Sequence, residues 1–284
     1  MASAVVFGYH DVGVRCLGAL LDAGVKVPLV ITHRDDPRER VWFASVAALA
    51  RAKGIETLLD PDPAALPRLV RRAAPDFIFS FYYRRMLTPE VLALAKRGAY
   101  NMHGSLLPKY RGRAPVNWAV LHGETQTGAT LHEMVAKPDA GRIVDQASVP
   151  IGPDHAAAEV FARITDAAEI VMRRSIAPLV AGTALLRPND LAAGSYYGGR
   201  RPEDGRIDWT KSAREIHNLV RAVAPPYPGA FCDRLNIYRT EITERSAPGC
   251  AVGPYRDGDA WFALCGDGKV LRLVEVEDSF SKKQ

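Results

Sequence analysis

Long apolar runs are missing from this sequence: no stretch approaches the roughly 20 residues that a membrane-spanning helix requires, so bilayer insertion is not expected. The amino-terminal MASAVVFGYH has no basic region followed by an apolar segment and a small-residue cleavage site. The expected compartment is therefore the cytoplasm. Cysteine is scarce: Cys16, Cys232, Cys250 and Cys265 are scattered without metal-ligand or redox spacing. They read as reduced thiols, and no metal is expected. The first strand-to-helix turn, Phe7-Gly8-Tyr9-His10-Asp11-Val12-Gly13, lacks the G-x-G-x-x-G fingerprint, which removes support for a nicotinamide dehydrogenase. Ser105 sits in S-L-L-P and not in G-x-S-x-G, so a serine hydrolase is rejected. There is no internal repeat and no low-complexity segment.

What is present is an ordinary globular composition, 48% hydrophobic and 24% charged over 284 residues, enough for one large or two modest domains. The first half alternates short apolar runs with stretches of helical period. This predicts strands at 3–9, 26–32, 55–58, 76–81 and 98–103, and helices at 11–23, 41–53, 64–73 and 89–97. Such alternation implies a Rossmann-like α/β domain with a mainly parallel sheet, whose ligands bind beyond the carboxyl ends of the strands. Residues 125–151 read as strand-rich, with a long helix at 155–181. After a further helix at 211–224, short alternating runs suggest a small OB-like β-barrel. The expected boundaries are a catalytic domain at 1–188, a linker at 189–202 and a β-barrel-like domain at 203–284.

The net charge is +5 and the isoelectric point is near 9.0, which invites a nucleic-acid reading. Residues 1–200 carry 24 basic and 19 acidic side chains, whereas residues 201–284 carry 13 of each. The excess thus lies in the first part of the chain, where Lys109, Arg111 and Arg113 form a basic loop. That loop suits a diphosphate; it is also a plausible solvated turn. A binding module built on the terminal barrel would need exposed aromatics among basic residues. Tyr238, Trp261 and Phe262 fit an alternating core pattern instead.

The densest cluster of reactive residues runs from Tyr100 to Pro115. On a strand, residues two apart share a face, so Asn101 and His103 project together. An amide N–H can hold a developing oxyanion and an imidazole can move protons near neutral pH. A strand-end histidine bonded to a backbone carbonyl fits the same spacing. Downstream, Lys137-Pro138-Asp139-Ala140-Gly141 is a turn bearing a carboxylate. Were it folded against His103, its charge would raise the histidine pKa; as an isolated turn it has a purely structural reading. Tyr9 and His10 end the first strand and can line a cleft. The mixed-sign run His33–Arg40 reads as a loop, a lid or a nucleotide contact. His122, His132, His155 and His217 are taken as structural.

The order Asn101-x-His103, Ser105-Leu106-Leu107-Pro108, Arg111-Gly112-x-Ala114-Pro115, Thr127-Gly128 and Asp139-Ala140-Gly141 resembles the formyltransferases that use 10-formyltetrahydrofolate. Over essentially the whole chain, Phe7-Gly8-Tyr9-His10-Asp11, Ser80-Phe81-Tyr82-Tyr83-Arg84, His103–Pro115 and Arg221-Ala222-Val223-Ala224 are similar to the branch acting on UDP-4-amino-4-deoxy-L-arabinose in lipid A modification and polymyxin resistance. The resemblance implies that Asn101 stabilises the oxyanion, His103 is the acid/base and Asp139 tunes it. It implies folate contacts from Arg85, Met86, Leu87, Arg113, Val135, Ala136, Lys137, Pro138 and Asp139, with Met86 and Leu87 covering a pterin face. The expected partners are a UDP-amino sugar and folate, not nucleic acid or membrane. That branch carries a second, decarboxylase half, which is expected here on a separate chain. Methionyl-tRNA formyltransferases and enzymes for other nucleotide-linked amino sugars are the competing members. The tRNA enzymes carry a basic insertion after the second strand and a basic terminal domain, and neither appears in this sequence.

Overall fold

The computed structural model describes residues 1–37, 40–247 and 251–278; Cys250, and Arg38 and Glu39 of the mixed-sign run, lie outside them. In chain order the first elements are β1 (Ser3–Gly8), α1 (His10–Asp22), β2 (Lys26–Thr32), α2 (Val46–Ala52), β3 (Glu56–Leu59), α3 (Leu66–Ala73), β4 (Phe77–Phe81), α4 (Pro89–Leu92) and β5 (Gly98–His103). There follow β6 (Arg111–Gly112), α5 (Pro115–Leu121), β7 (Gln126–Glu133), β8 (Ile143–Pro150), α6 (Ala157–Ala181), β9 (Tyr196–Tyr197) and α7 (Ala213–Val223). The chain ends in β10 (Ala230–Cys232), β11 (Leu235–Thr243), β12 (Gly253–Asp257), β13 (Ala260–Leu264) and β14 (Val270–Asp278). None of the described helices is long and apolar enough to cross a membrane.

Two compact units result. The first comprises Met1–Gly112, Thr127–Val149 and Ala162–Tyr196; the second comprises Arg113–Gln126, Pro150–Phe161 and Tyr197–Gln284. The first unit holds a seven-stranded sheet of order β3-β2-β1-β4-β5-β7-β8. β1 through β5 pair in parallel, and β7 runs antiparallel to β5. The strands are apolar on both faces, as a sheet covered by helices demands: every residue of β4, FIFSF, is buried. Val5, Phe7, Leu29, Ile31, Val70, Ile78 and Val91 form one shared core cluster.

In the second unit an antiparallel sheet of order β10-β11-β14-β13-β12 forms a half-barrel, with α7 packed on it. α7 starts at a capping box in which Ser212 and Glu215 satisfy each other's backbone N–H groups. Its Ile216, Val220 and Val223 meet Leu235, Ile237, Leu271 and Leu273 of the sheet. Cys232 and Cys265 are buried thiols here, and Cys16 is one in the first unit.

Several elements differ from the sequence expectation. α2 begins only at Val46, where the Ser45 hydroxyl accepts the Ala48 N–H; ahead of it Phe43 stacks on His10 at 4.0 Å between ring centres. The expected helix 89–97 stops at Leu92, beyond which i to i−3 bonds from Leu94 and Ala95 tighten the chain into turns. α5 was not foreseen because its start, Ala114-Pro115, looks like a breaker; proline at the first helical position is in fact well tolerated. β12 is a further strand that the sequence pattern does not predict, its Gly-Pro start resembling a turn.

Candidate active site

The parallel pairing of β4 with β5 carries the segment Gly98–His103 through the centre of the sheet, so that Asn101 and His103 emerge at its carboxyl end. The next strand, β7, pairs antiparallel with β5 and sets His132 directly opposite Asn101. The turn between β7 and β8 then returns Asp139 to the same place. Asp139 takes the left-handed conformation, φ 49°, which aspartate tolerates better than most residues. Its backbone carbonyl accepts the Asn189 amide at 3.0 Å. Gly141 is close-packed behind it: a Cβ there would lie 2.0 Å from the Glu133 carbonyl oxygen.

Four side chains thereby converge. His103 Nδ1 lies 3.6 Å and His132 Nε2 3.4 Å from Asp139 Oδ1. Asp139 Oδ2 accepts the Gly112 N–H at 2.8 Å. The other ring nitrogen of His103, Nε2, is 2.8 Å from the Tyr110 carbonyl. A carbonyl only accepts, so Nε2 carries the proton and the Nδ1 lone pair faces the Asp139 side. His132 Nδ1 likewise donates to the Glu133 carbonyl at 2.7 Å, leaving Nε2 to accept an Asn101 Nδ2 hydrogen at 3.2 Å. An amide nitrogen has two hydrogens, and the second remains for a ligand.

The electrostatics differ from the sequence argument in one respect. Burial depresses the His103 pKa below the ordinary imidazole value, and the opposing pull of Asp139 does not restore it. The side chain of His103 is only 7% exposed, so desolvation of the imidazolium outweighs a carboxylate that is near but not hydrogen-bonded. Burial pushes the Asp139 carboxyl up, but positive charge on the His103 and His132 rings, acquired as the pH falls, and the Gly112 N–H bring it well below the usual carboxylate range. The resting centre is a neutral base beside a fixed negative charge.

The loop from Gly104 to Gly112 is fixed by its own bonds. The Ser105 hydroxyl donates to the Lys109 carbonyl at 2.6 Å, which occupies it structurally. Gln146 Nε2 donates to the Leu107 carbonyl and to Thr130 Oγ1, each at 2.9 Å. Of the basic triplet, Arg111 is buried and turned toward the Leu191 carbonyl, Lys109 is exposed, and Arg113 belongs to the second unit, where it runs past Gly199. Burial removes the solvated-turn reading of Arg111, and its Nε has no hydrogen-bond partner among the described residues.

Among the expected folate contacts, the apolar side chains of Met86 and Val135 are 63% and 42% exposed. Leu87 is only 7% exposed and packs into the sheet core cluster, so Met86 supplies most of the exposed apolar surface of the pair. Arg85, Ala136 and Lys137 are exposed, and Pro138 is half-buried. His132, taken from sequence as structural, stands in the centre itself. Its signal was the strand register, since alternate residues Thr130 and His132 of β7 face the same way as Asn101 and His103 of β5.

Residues 4–176 match the formyl transferase family, and residues 200–284 match the formyl transferase C-terminal domain. The chain belongs to the formyl transferase family and is a formyltransferase enzyme. Its fold is that of an N-formyltransferase from Helicobacter canadensis solved with folinic acid and dTDP-3-aminofucose (TM-score 0.78, 21% identity, 96% of this chain and 99% of that one). It also resembles WlaRD, a sugar 3N-formyltransferase solved with dTDP and 5-N-formyl-THF (0.76, 19%, 96% and 97%). HypX from Aquifex aeolicus, solved with tetrahydrofolic acid, matches over 98% of this chain and 46% of its own length (0.66, 17%).

Proposed function

We propose that the protein transfers the formyl group of 10-formyltetrahydrofolate to the 4-amino group of a UDP-linked amino sugar, UDP-4-amino-4-deoxy-L-arabinose, in lipid A modification and polymyxin resistance. The observation that carries the transfer chemistry is the convergence of Asn101, His103 and Asp139 at the end of β5. Formyl transfer to an amine forms one C–N bond and breaks another, with negative charge on the formyl oxygen in between. Asn101, held by His132, donates its remaining N–H to that oxygen. His103 Nδ1, neutral at rest, accepts the proton released by the attacking amine and delivers it to the departing folate nitrogen. Asp139 stabilises the imidazolium that exists between those two events.

Fit to the folate rests on the two exposed apolar side chains, Met86 and Val135, on the segments to which the family resemblance assigns it. The sugar reading draws on the similarity of Phe7–Asp11, Ser80–Arg84 and His103–Pro115 to the formyltransferase half of ArnA. It also draws on the terminal half-barrel. There Arg234, Arg239, Arg245 and Arg272 pair with Asp278, Glu275, Asp257 and Glu241, respectively. A tRNA-binding surface needs unneutralised positive charge along its length.

The test is to incubate the purified chain with 10-formyltetrahydrofolate and either UDP-4-amino-4-deoxy-L-arabinose, a dTDP-linked amino-deoxyhexose or charged initiator tRNA, following the formyl mass increment. Transfer to the UDP-pentose is expected to be fastest. Formylation of the tRNA alone would sink the sugar reading.

A further inference from the structure

A second cluster of titratable groups stands at the carboxyl ends of β1 to β4, and the chemistry above does not use it. His33 follows β2 and Asp60 follows β3. His33 Nδ1 donates to Asp60 Oδ1 at 2.7 Å, while Nε2 accepts the backbone N–H of Arg84 at 3.1 Å. The His33 ring stacks on Tyr83, with centres 4.3 Å apart and planes 16° from parallel. Arg85 Nη2 lies 3.2 Å from Asp60 Oδ1, and Asp60 Oδ2 accepts the Arg34 N–H at 2.8 Å. Three consecutive residues, Tyr83, Arg84 and Arg85, are thus each held by this pair: one through its ring, one through its backbone, one through its charge. The chain then presents Met86 outward and buries Leu87 in the core.

We propose that His33 and Asp60 are positioning residues for the 83–87 segment, setting where its exposed face meets the folate. The inference rests on the folate reading given above. Neither residue takes part in proton transfer, so their removal should act on folate affinity and leave the chemical step nearly intact. The groups facing His33 are Asp60 just after β3, Tyr83, Arg84 and Arg85 after β4, and Tyr9 between β1 and α1. Protonation would convert Nε2 from acceptor to donor and set it against the Arg84 N–H. Burial holds the His33 pKa below its ordinary value, with Asp60 opposing and the two arginines reinforcing, so the latch is intact at neutral pH.

The experiment compares wild type with His33→Ala, His33→Gln and Asp60→Asn. KM is measured separately for 10-formyltetrahydrofolate and the nucleotide sugar, and direct binding is measured with 5-formyltetrahydrofolate. His33→Ala should raise the folate KM and Kd about tenfold, because the Arg84 N–H loses its acceptor and the Tyr83 ring its stacking partner. The sugar KM and kcat should hold within about twofold on the same reasoning. His33→Gln keeps an acceptor for Arg84 that does not titrate. It should recover most of the folate affinity and flatten the acid-side rise in folate KM that protonation of His33 predicts for wild type. Asp60→Asn, nearly isosteric, gives the same KM pattern more weakly and serves should the alanine variant not fold. An unchanged folate Kd in His33→Ala, or an equal change for both substrates, overturns the proposal while the folate reading stands. No folate binding by wild type overturns that reading itself.

Discussion

Two histidine–aspartate pairs stand at the carboxyl end of the same sheet, and they are wired differently. In His33–Asp60 the contact is a 2.7 Å hydrogen bond and the second ring nitrogen is spent on a backbone amide, so both ring positions are committed. In His103–Asp139 the separation is 3.6 Å and only Nε2 is committed, to the Tyr110 carbonyl. The same two residue types therefore do opposite work. A ring with both nitrogens engaged holds structure, whereas a ring with one lone pair directed at a nearby carboxylate can take up a proton and give it back. Proximity of histidine to aspartate is a weak mark of catalysis; the unspent nitrogen is the informative one.

The comparison breaks most sharply under substitution. His103→Ala should lower kcat by about 10²- to 10⁴-fold with little change in either KM, the range of a lost general acid/base. Asn101→Ala should cost about 10²- to 10³-fold as a lost oxyanion donor. Steady-state kinetics on folded variants checks both, and wild-type turnover in His103→Ala would remove its assigned role. His33→Ala, by contrast, should appear in folate KM.

Asp139→Asn is the next largest, and it carries a direction in pH. The carboxylate opposes the burial that depresses the His103 pKa. Removing its charge should lower that pKa further, so the acid limb of the kcat/KM profile shifts to lower pH while the plateau falls by about tenfold or more. A plateau loss with the acid limb unmoved would mean that Asp139 acts only by bracing the Gly112 amide.

The sequence carried the parallel sheet well, because runs such as FIFSF and the helical stretches between strands have few alternative readings. Asn101 and His103 were legible from period-two spacing and family resemblance. Their relation to Asp139 was open, since nothing in a P-D-A-G turn says where it folds. His132 was missed because its meaning lies in the register of β7 against β5, a long-range quantity. The burial of Leu87 and Arg111 was out of reach for a related reason: residue type suggested a ligand contact or, for Arg111, a solvated turn, whereas exposure depends on the packed tertiary structure. The direction of the pull of Asp139 on His103 was legible and its net outcome was not, for spacing conveys a neighbouring charge but not desolvation.

Stability gives the smallest effect and the finest separation of the two pairs. Both histidines have folded-state pKa values below the unfolded one. Above about pH 6.5 both states hold them neutral and their full contribution is present. As pH falls below that point the unfolded chain gains protons that the folded chain refuses, and stability declines by at most about 1.4 kcal/mol per pH unit per histidine. His10, with its pKa lowered to about 3 by burial and Arg84, adds to the slope across the same window. Asp139 acts lower: its contribution is present above the ordinary carboxylate pKa and is lost as pH drops through the depressed one. Urea unfolding between pH 7.5 and 5 should therefore show a falling free energy in wild type. His33→Gln and His103→Gln should each flatten it by up to one histidine's share, yet only the second should abolish turnover. Stability independent of pH across that window would mean that neither imidazole is held neutral, and the distinction between a committed ring and a poised one would lose its electrostatic basis.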